Sequence, residues 1–242
     1  MEKHIQEFYA IRANAEKILR DNKSSYNSFE YDGKITTTLP YYEEFHRQVI
    51  DVIRVMNFNK VKWLDTGCGT GKTARKALEE LGEMDIDFTL CDISNEMLNI
   101  AREILGNNGI TYRNIPSQEL DYSEEFDVVT AIQCHHYLSR TERKTAVEKC
   151  YHALKENGIF ITFENIQLEN DKADAIAVKR WENYMLSNGR TEQEILEHAG
   201  RRGKMVFPLT VAEHLELLKN SGFRCAEILW FSYMQAGFLA IK

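Results

Sequence analysis

Residues 63–73, WLDTGCGTGKT, constrain this chain more than any other stretch. An apolar run ends at Asp65, a turn carries Gly67, Gly69 and Gly71, and Lys72 opens an amphipathic segment. Glycine allows positive φ and lets the backbone approach a ligand closely. A strand that feeds such a turn into a helix begins a β-α unit, whose ligand lies beyond the carboxyl end of the strand. The following residues repeat the alternation. Segments 61–65, 88–91, 110–113, 126–132 and 158–163 read as strands, and 72–81, 95–105 and 141–154 as helices. Segment 126–132 is nearly all apolar, as a strand covered on both faces should be. A last helix over 211–220 stops before Gly222. The runs 223–231 and 235–241 lie too close for a helical crossover and should pair antiparallel. The pattern predicts an α/β fold, with a seven-stranded, mostly parallel sheet ending in a C-terminal antiparallel hairpin.

The flanks read differently. Over 2–20, Ile5, Phe8, Tyr9, Ile11, Ala15, Ile18 and Leu19 are spaced for an amphipathic helix. Residues 21–39 are polar and aromatic and read as loop. Pro40 can open a second helix as its first-turn residue, with Phe45, Val49, Val52, Ile53 and Met56 as the buried stripe. Residues 166–209 form an insertion with Trp181, Tyr184, Met185 and a basic stretch, Arg201, Arg202 and Lys204. The expected divisions are an N-terminal helical cap segment (1–59), a cofactor-binding core (60–165), a cap insertion (166–209), and a final helix and hairpin belonging to the core (210–242). Tyr26, Tyr31 and Trp181 are expected in the core of the cap.

Composition narrows the function. The formal net charge is −7 and no basic face stands out, which argues against a nucleic-acid partner and for a small-molecule substrate. No apolar run approaches the ~20 residues of a membrane span. Residues 1–19 carry charges on every turn and no secretory h-region, so a cytoplasmic protein is expected. The five cysteines include no CxxC pair and predict reduced, mostly buried thiols and no metal site.

Three ligands compete for the glycine turn. A dinucleotide would want GxGxxG, but the spacing is GxGxG with Lys72 where the last glycine belongs. Gly71-Lys72-Thr73 imitates the end of a phosphate loop, yet the motif's first glycine falls on Thr66 and Asp65 would repel phosphates. S-adenosylmethionine carries an ammonium and a sulfonium, which an acidic Asp65 favours. Leu64–Gly71 resembles the first motif of the class I S-adenosylmethionine-dependent methyltransferases, and the resemblance implies a Rossmann-like core with the glycine turn under the cofactor's amino-acid part. Asp92 follows Gly71 by 21 residues, a spacing that suits a carboxylate on the ribose hydroxyls. By the resemblance Ile93 lies against adenine, and Pro116-Ser117 stands where relatives often carry Asp-Ala. That leaves the Ser117 amide and Gln118 for the adenine edge. The implied cofactor contacts are Tyr42, Asp65, Gly67, Cys68, Gly69, Asp92, Ile93, Ser117, Gln118 and Gln133, with S-adenosylhomocysteine as product.

Pro40-Tyr41-Tyr42, the 157–164 stretch, the 188–195 segment and the 222–242 end also look like carboxy-S-adenosylmethionine synthases, a family tied to wobble-uridine modification of tRNA. By that likeness Tyr42 reaches the cofactor's methionine end, and an arginine near Arg201 and Arg202 binds an extra carboxylate. The same pair could instead clamp an anionic substrate, or be a solvated loop. His135 or His136, after the fourth strand, and Glu164, at the end of the fifth, are the candidate general bases. The leading reading is a methyltransferase acting on a small-molecule acceptor. The alternatives are a carboxy-S-adenosylmethionine synthase-like enzyme and a non-catalytic cofactor-binding protein. Aromatic residues of the N-terminal segment could serve a homodimer.

Overall fold

The structure, a computed structural model, describes residues 23–242 apart from 25 and 29. The helix expected over 2–20 lies outside the described residues. The stretch expected as loop contains a short helix, α1 (Tyr31–Ile35). Ile35 anchors it in the core, and Lys34 reaches back to Glu30 at i,i+4, 3.1 Å away. Helix α2 (Tyr42–Met56) starts later than expected. Tyr41 adopts a left-handed backbone (φ 59°) and its carbonyl accepts Glu44 N–H at 2.8 Å, so Pro40 precedes the cap instead of filling the first turn.

The core then runs β1 (Lys60–Thr66), α3 (Lys72–Glu80), β2 (Asp85–Cys91), α4 (Asn95–Leu105), β3 (Ile110–Arg113), β4 (Phe126–Ile132), α5 (Arg140–Ala153) and β5 (Leu154–Asn165). After α6 (Asp171–Ser187) and α7 (Glu192–Ala199) come α8 (Val211–Asn220), β6 (Cys225–Ser232) and β7 (Gln235–Ile241). The sheet order is β3-β2-β1-β4-β5-β7-β6. Strands β1 to β5 pair in parallel, and β7 runs antiparallel between β5 and β6. These are the seven strands and the hairpin expected, in a Rossmann-like arrangement. Strand β5 is longer than expected because Leu154 pairs with Phe126 ahead of an irregularity that puts Ile159 opposite Val128.

Alternation along the strands feeds two layers. Trp63, Phe88, Val128 and Ile161 pack against Phe45, Val49 and Ile53 of α2 and Ala74 and Ala77 of α3. Leu64, Val129, Phe160 and Phe238 pack against Val147 and Cys150 of α5 and Leu218 of α8. Phe45 is fully buried and stacks on Phe163 at 5.0 Å, which pins α2 to the sheet. Capping boxes, Ser139 with Glu142 and Thr210 with Glu213, fix the starts of α5 and α8.

Residues 166–209 meet the 23–39 segment through specific bonds. Trp181 Nε1 donates to Thr38 O at 2.7 Å and the Tyr184 hydroxyl to Thr36 O at 2.7 Å. Tyr26 and Trp181 are buried there. Strand β1 pairs with β2 on one side and β4 on the other, so the winding reverses between β1 and β4 and a cleft opens at their carboxyl ends.

Candidate active site

The glycine turn fills that cleft's floor. Gly67 (φ 66°) cannot carry a side chain, because a Cβ there would collide with Cβ and Sγ of Cys134. Gly69 (φ 55°) has open space where a Cβ would stand, so its backbone borders the cavity directly. Asp92, at the end of β2, accepts Gly69 N–H at 2.8 Å through Oδ2 and Ser94 N–H at 2.8 Å through Oδ1. The carboxylate is thereby aimed at the turn, and Ser94 caps α4 by accepting Met97 N–H at 3.1 Å.

Above the turn lies an open cavity. Gly67, Gly69, Asp92, Ile93, Ser117, Gln118, Gln133 and His135 all line it. Met97, Ile115, Tyr137, Leu138 and Tyr31 complete the wall. Ile93 is half exposed on the cavity side of β2, and the Ser117 hydroxyl bonds the Thr66 hydroxyl at 2.8 Å. A smaller cavity opens beneath the same turn. It shares Tyr31, Gly67, Gly69 and Ile132 with the first and adds Tyr42, His46, Asp65, Cys68 and Lys72.

Asp65 carries the sharpest electrostatic signal. Trp63 Nε1 donates to the Thr130 hydroxyl (2.9 Å), which donates to Asp65 Oδ1 (2.7 Å). Oδ2 is buried with no hydrogen-bond partner among the described residues. Burial, with the negative charge of Asp92 adding to it, raises the Asp65 pKa to about 7. A buried carboxylate oxygen facing a cavity fits a ligand that brings a cation. The residues present therefore fit a cofactor with an ammonium at one end and ribose hydroxyls near Asp92.

A third cavity adjoins the first through Ser24, Gln133 and Tyr137. It is lined by Tyr26, Thr38, His136, Asn165, Trp181, His198, Arg201 and Arg202. Gln133 stands between the two, held at φ 57° by Phe163 O (2.7 Å) and by its side-chain bond to Gln235 (2.8 Å). Arg202 is committed elsewhere: its guanidinium grips both oxygens of Asp174 at 3.1 Å and Asn165 Oδ1 at 2.7 Å. Arg201 donates to Lys23 O at 2.5 Å, lies over the Tyr137 ring, and keeps a buried Nε without a partner among the described residues. The adjacent arginines are thus unequal, and an anion would meet Arg201.

Of the expected general bases, Glu164 is fully engaged within the fold. Glu164, 1% exposed, accepts the backbone N–H groups of His135 (3.2 Å) and His136 (2.8 Å) and the Thr162 hydroxyl (2.9 Å), and its Oε2 lies 2.9 Å from His136 Nδ1. Despite burial, the hydrogen bond and charge of His136 and the charges of His135 and Arg143 hold Glu164 down to about 2, an anion with every direction occupied. His135 turns its ring toward Phe160, 6.4 Å away, and burial lowers its pKa to about 4. His136 faces the third cavity. Glu164 thereby holds the backbone of residues 135 and 136, while His135 borders the first cavity and His136 the third.

Sequence reasoning missed Arg143, 1% exposed, which donates from Nε to His135 O (2.9 Å), from Nη2 to Leu138 O (3.2 Å) and to Phe207 O. It also missed Arg190, which donates to Tyr26 and Thr38 hydroxyls and to Lys34 O. Nothing local in the sequence marked either. His46 did leave a signal, a polar residue on the apolar stripe of α2. Tyr31, expected in the cap core, lines the first two cavities instead. No cluster of metal-ligand type exists among the described residues.

Residues 64–158 match a family model described as a methyltransferase domain. Among curated proteins, the chain is similar to the carboxy-S-adenosyl-L-methionine synthase of Nautilia profundicola, 25% identical over 91% of this chain and 97% of that protein. It is also similar to the synthase of Campylobacter lari, 26% identical over 88% and 90%. Among solved structures, the methyltransferase complexed with the Haloferax volcanii Trm112 activator superposes with TM-score 0.63 at 14% identity, over 92% of this chain and 98% of that one. PigF with S-adenosylhomocysteine superposes at 0.61 and 16% identity, over 88% and 57%. The DszA carbon methyltransferase gives 0.63 at 20% identity, over 87% and 56%. Residues 64–158 are thus a methyltransferase domain, and that domain together with the Rossmann-like sheet supports a class I S-adenosylmethionine-dependent methyltransferase.

Proposed function

We propose that the protein transfers the methyl group of S-adenosylmethionine to a small acceptor with an anionic group, seated in the third cavity. The observation that carries this reading is the junction of the two cavities at Gln133 and Tyr137, with the Nε of Arg201, which has no partner among the described residues, on the acceptor side. The cofactor supplies a methyl group on a sulfonium, an electrophile with a good leaving group. Asp92 orients the ribose, Ile93 and Met97 flank the adenine, and Ser117 and Gln118 meet its edge. Gly67 and Gly69 admit the chain of the amino-acid part, and Asp65 faces its ammonium. Tyr42 and Cys68 wall that end, and Gln133 separates donor from acceptor. Arginine suits an acceptor carboxylate because its planar fork can bind bidentately. Positioning supplies much of the acceleration in such a displacement, and no role as base falls to Glu164, whose oxygens hold the cavity wall.

The second reading is a carboxy-S-adenosylmethionine synthase-like reaction. The relatives of that name, which cover about nine-tenths of the chain, favour it, and Arg201 would then meet the cofactor's added carboxylate. Mass spectrometry of the small molecule that co-purifies with the protein separates the two. S-adenosylmethionine or S-adenosylhomocysteine supports methyl transfer; a species heavier by one carboxyl group, formed also when the protein is incubated with S-adenosylmethionine and prephenate, replaces it with the second. No helix among the described residues is long and apolar enough to cross a membrane.

A further inference from the structure

Two buried side chains present an unpartnered polar atom to the small cavity beneath the glycine turn. His46, 2% exposed, comes from α2, and Asp65, 1% exposed, from β1; both line that cavity with Tyr42, Lys72 and Thr73. His46 Nδ1 lies 3.1 Å from the Thr73 hydroxyl, which leaves Nε2 as the ring atom without a partner among the described residues. An unsatisfied buried nitrogen costs about 1–3 kcal/mol, so a ligand that satisfies it gains affinity. The two ends differ in field. Around His46 stand the positive charges of Lys72, Lys76 and Arg75, opposed in part by Glu43, and the amino-terminal end of α3, which carries positive partial charge. Burial and Lys72 hold its pKa down to about 3, so the imidazole is neutral and Nε2 can carry the proton when the Thr73 hydroxyl donates to Nδ1. Around Asp65 the neighbouring charge is that of Asp92. Lys72 is not available as the cation of this subsite, because its Nζ is paired with Glu43.

A cavity with a donor in a positive field at one end and a carboxylate oxygen at the other matches an α-amino-acid zwitterion. We infer that His46 selects the carboxylate of the cofactor's amino-acid end, donating from Nε2, while Asp65 receives the ammonium. The inference rests on the cofactor reading above and adds a residue from outside the matched domain, since α2 precedes residue 64. It gives α2 a specificity function besides its packing role.

Isothermal titration with S-adenosylmethionine and with decarboxylated S-adenosylmethionine, which lacks only the carboxylate, tests the inference without any turnover. The wild-type protein should prefer the intact cofactor by about 10- to 100-fold, the range of a hydrogen bond to a charged group. His46→Leu should remove most of that preference by weakening only the intact cofactor, and His46→Gln, whose amide reaches a similar depth, should restore part of it. Equal weakening of both ligands in His46→Leu, or an unchanged preference, overturns the inference. Should His46→Leu not fold, Thr73→Val decides: it removes the Nδ1 partner at constant shape, and a preference that stays at the wild-type ratio overturns the inference. Failure of the wild-type protein to bind both ligands, and 5′-methylthioadenosine as well, would instead refute the cofactor reading itself.

Discussion

Asp65→Asn should make the ligand-free protein more stable and the cofactor-binding protein useless. The carboxyl has an ordinary pKa of 3.8 in the unfolded chain and about 7 in the folded one, raised first by burial. The folded state therefore binds more protons than the unfolded state between these values, and stability falls as pH rises through that window. About three pKa units at 1.36 kcal/mol each give a penalty of about 4 kcal/mol above pH 7, vanishing below about pH 4. Asparagine keeps an oxygen for the Thr130 hydroxyl and cannot ionise. At pH 8 the variant should melt on the order of 8 °C above the wild type, the shift that ~4 kcal/mol gives in a domain of this size. At pH 5 the gap should shrink to less than half. Saturating S-adenosylhomocysteine should reverse the ranking, since its ammonium stabilises the ionised wild-type carboxylate. Scanning calorimetry from pH 5 to 8, with and without that ligand, reads all three. Melting curves of wild type and variant that shift in parallel with pH would refute the reasoning.

Asp92→Ala should weaken S-adenosylhomocysteine by about 100-fold or more in titration calorimetry, because the ribose loses a charged acceptor and the Gly69 amide its partner. Gly67→Ala should abolish binding by collision with Cys134, and the added change Cys134→Gly should recover part of the affinity. Arg201→Met should raise the acceptor KM with little change in melting temperature. Arg202→Met should instead cost about 1–3 kcal/mol of stability in urea unfolding through the abandoned Asp174 carboxylate. Arg143→Met, which strands three carbonyls, should cost about 3 kcal/mol or more and weaken cofactor binding along with stability.

The strands were legible because their signal is local. A run such as 126–132 declares a doubly covered strand by itself, and the glycine turn declares its β-α unit. The short helix at Tyr31–Ile35 was not, because five residues carry too little periodicity, and burial of Ile35 decides it from outside. Arg201 and Arg202 look alike in sequence, yet Asp174, on another helix, occupies one and not the other. Glu164 and the histidine pair look catalytic by residue type. Glu164 accepts two peptide N–H groups and pairs with the His136 ring, which residue type does not reveal. Long-range pairing of this kind is what a linear reading lacks.

Arg143 bonds Phe207 O while Phe207 N–H donates to His136 O at 2.8 Å, so residue 207 is bolted to the segment that walls the first cavity. The other approach to the third cavity, from residues 23–39, is held through side chains that include Trp181, Tyr184, Arg190 and Arg201. A chain built this way can diversify lopsidedly. Changes at Tyr26, Thr38, Trp181 or His198 can reshape what the third cavity accepts, and the bolted side keeps the geometry of the first cavity constant while they accumulate. Descendants of such a scaffold would differ in acceptor and share a donor.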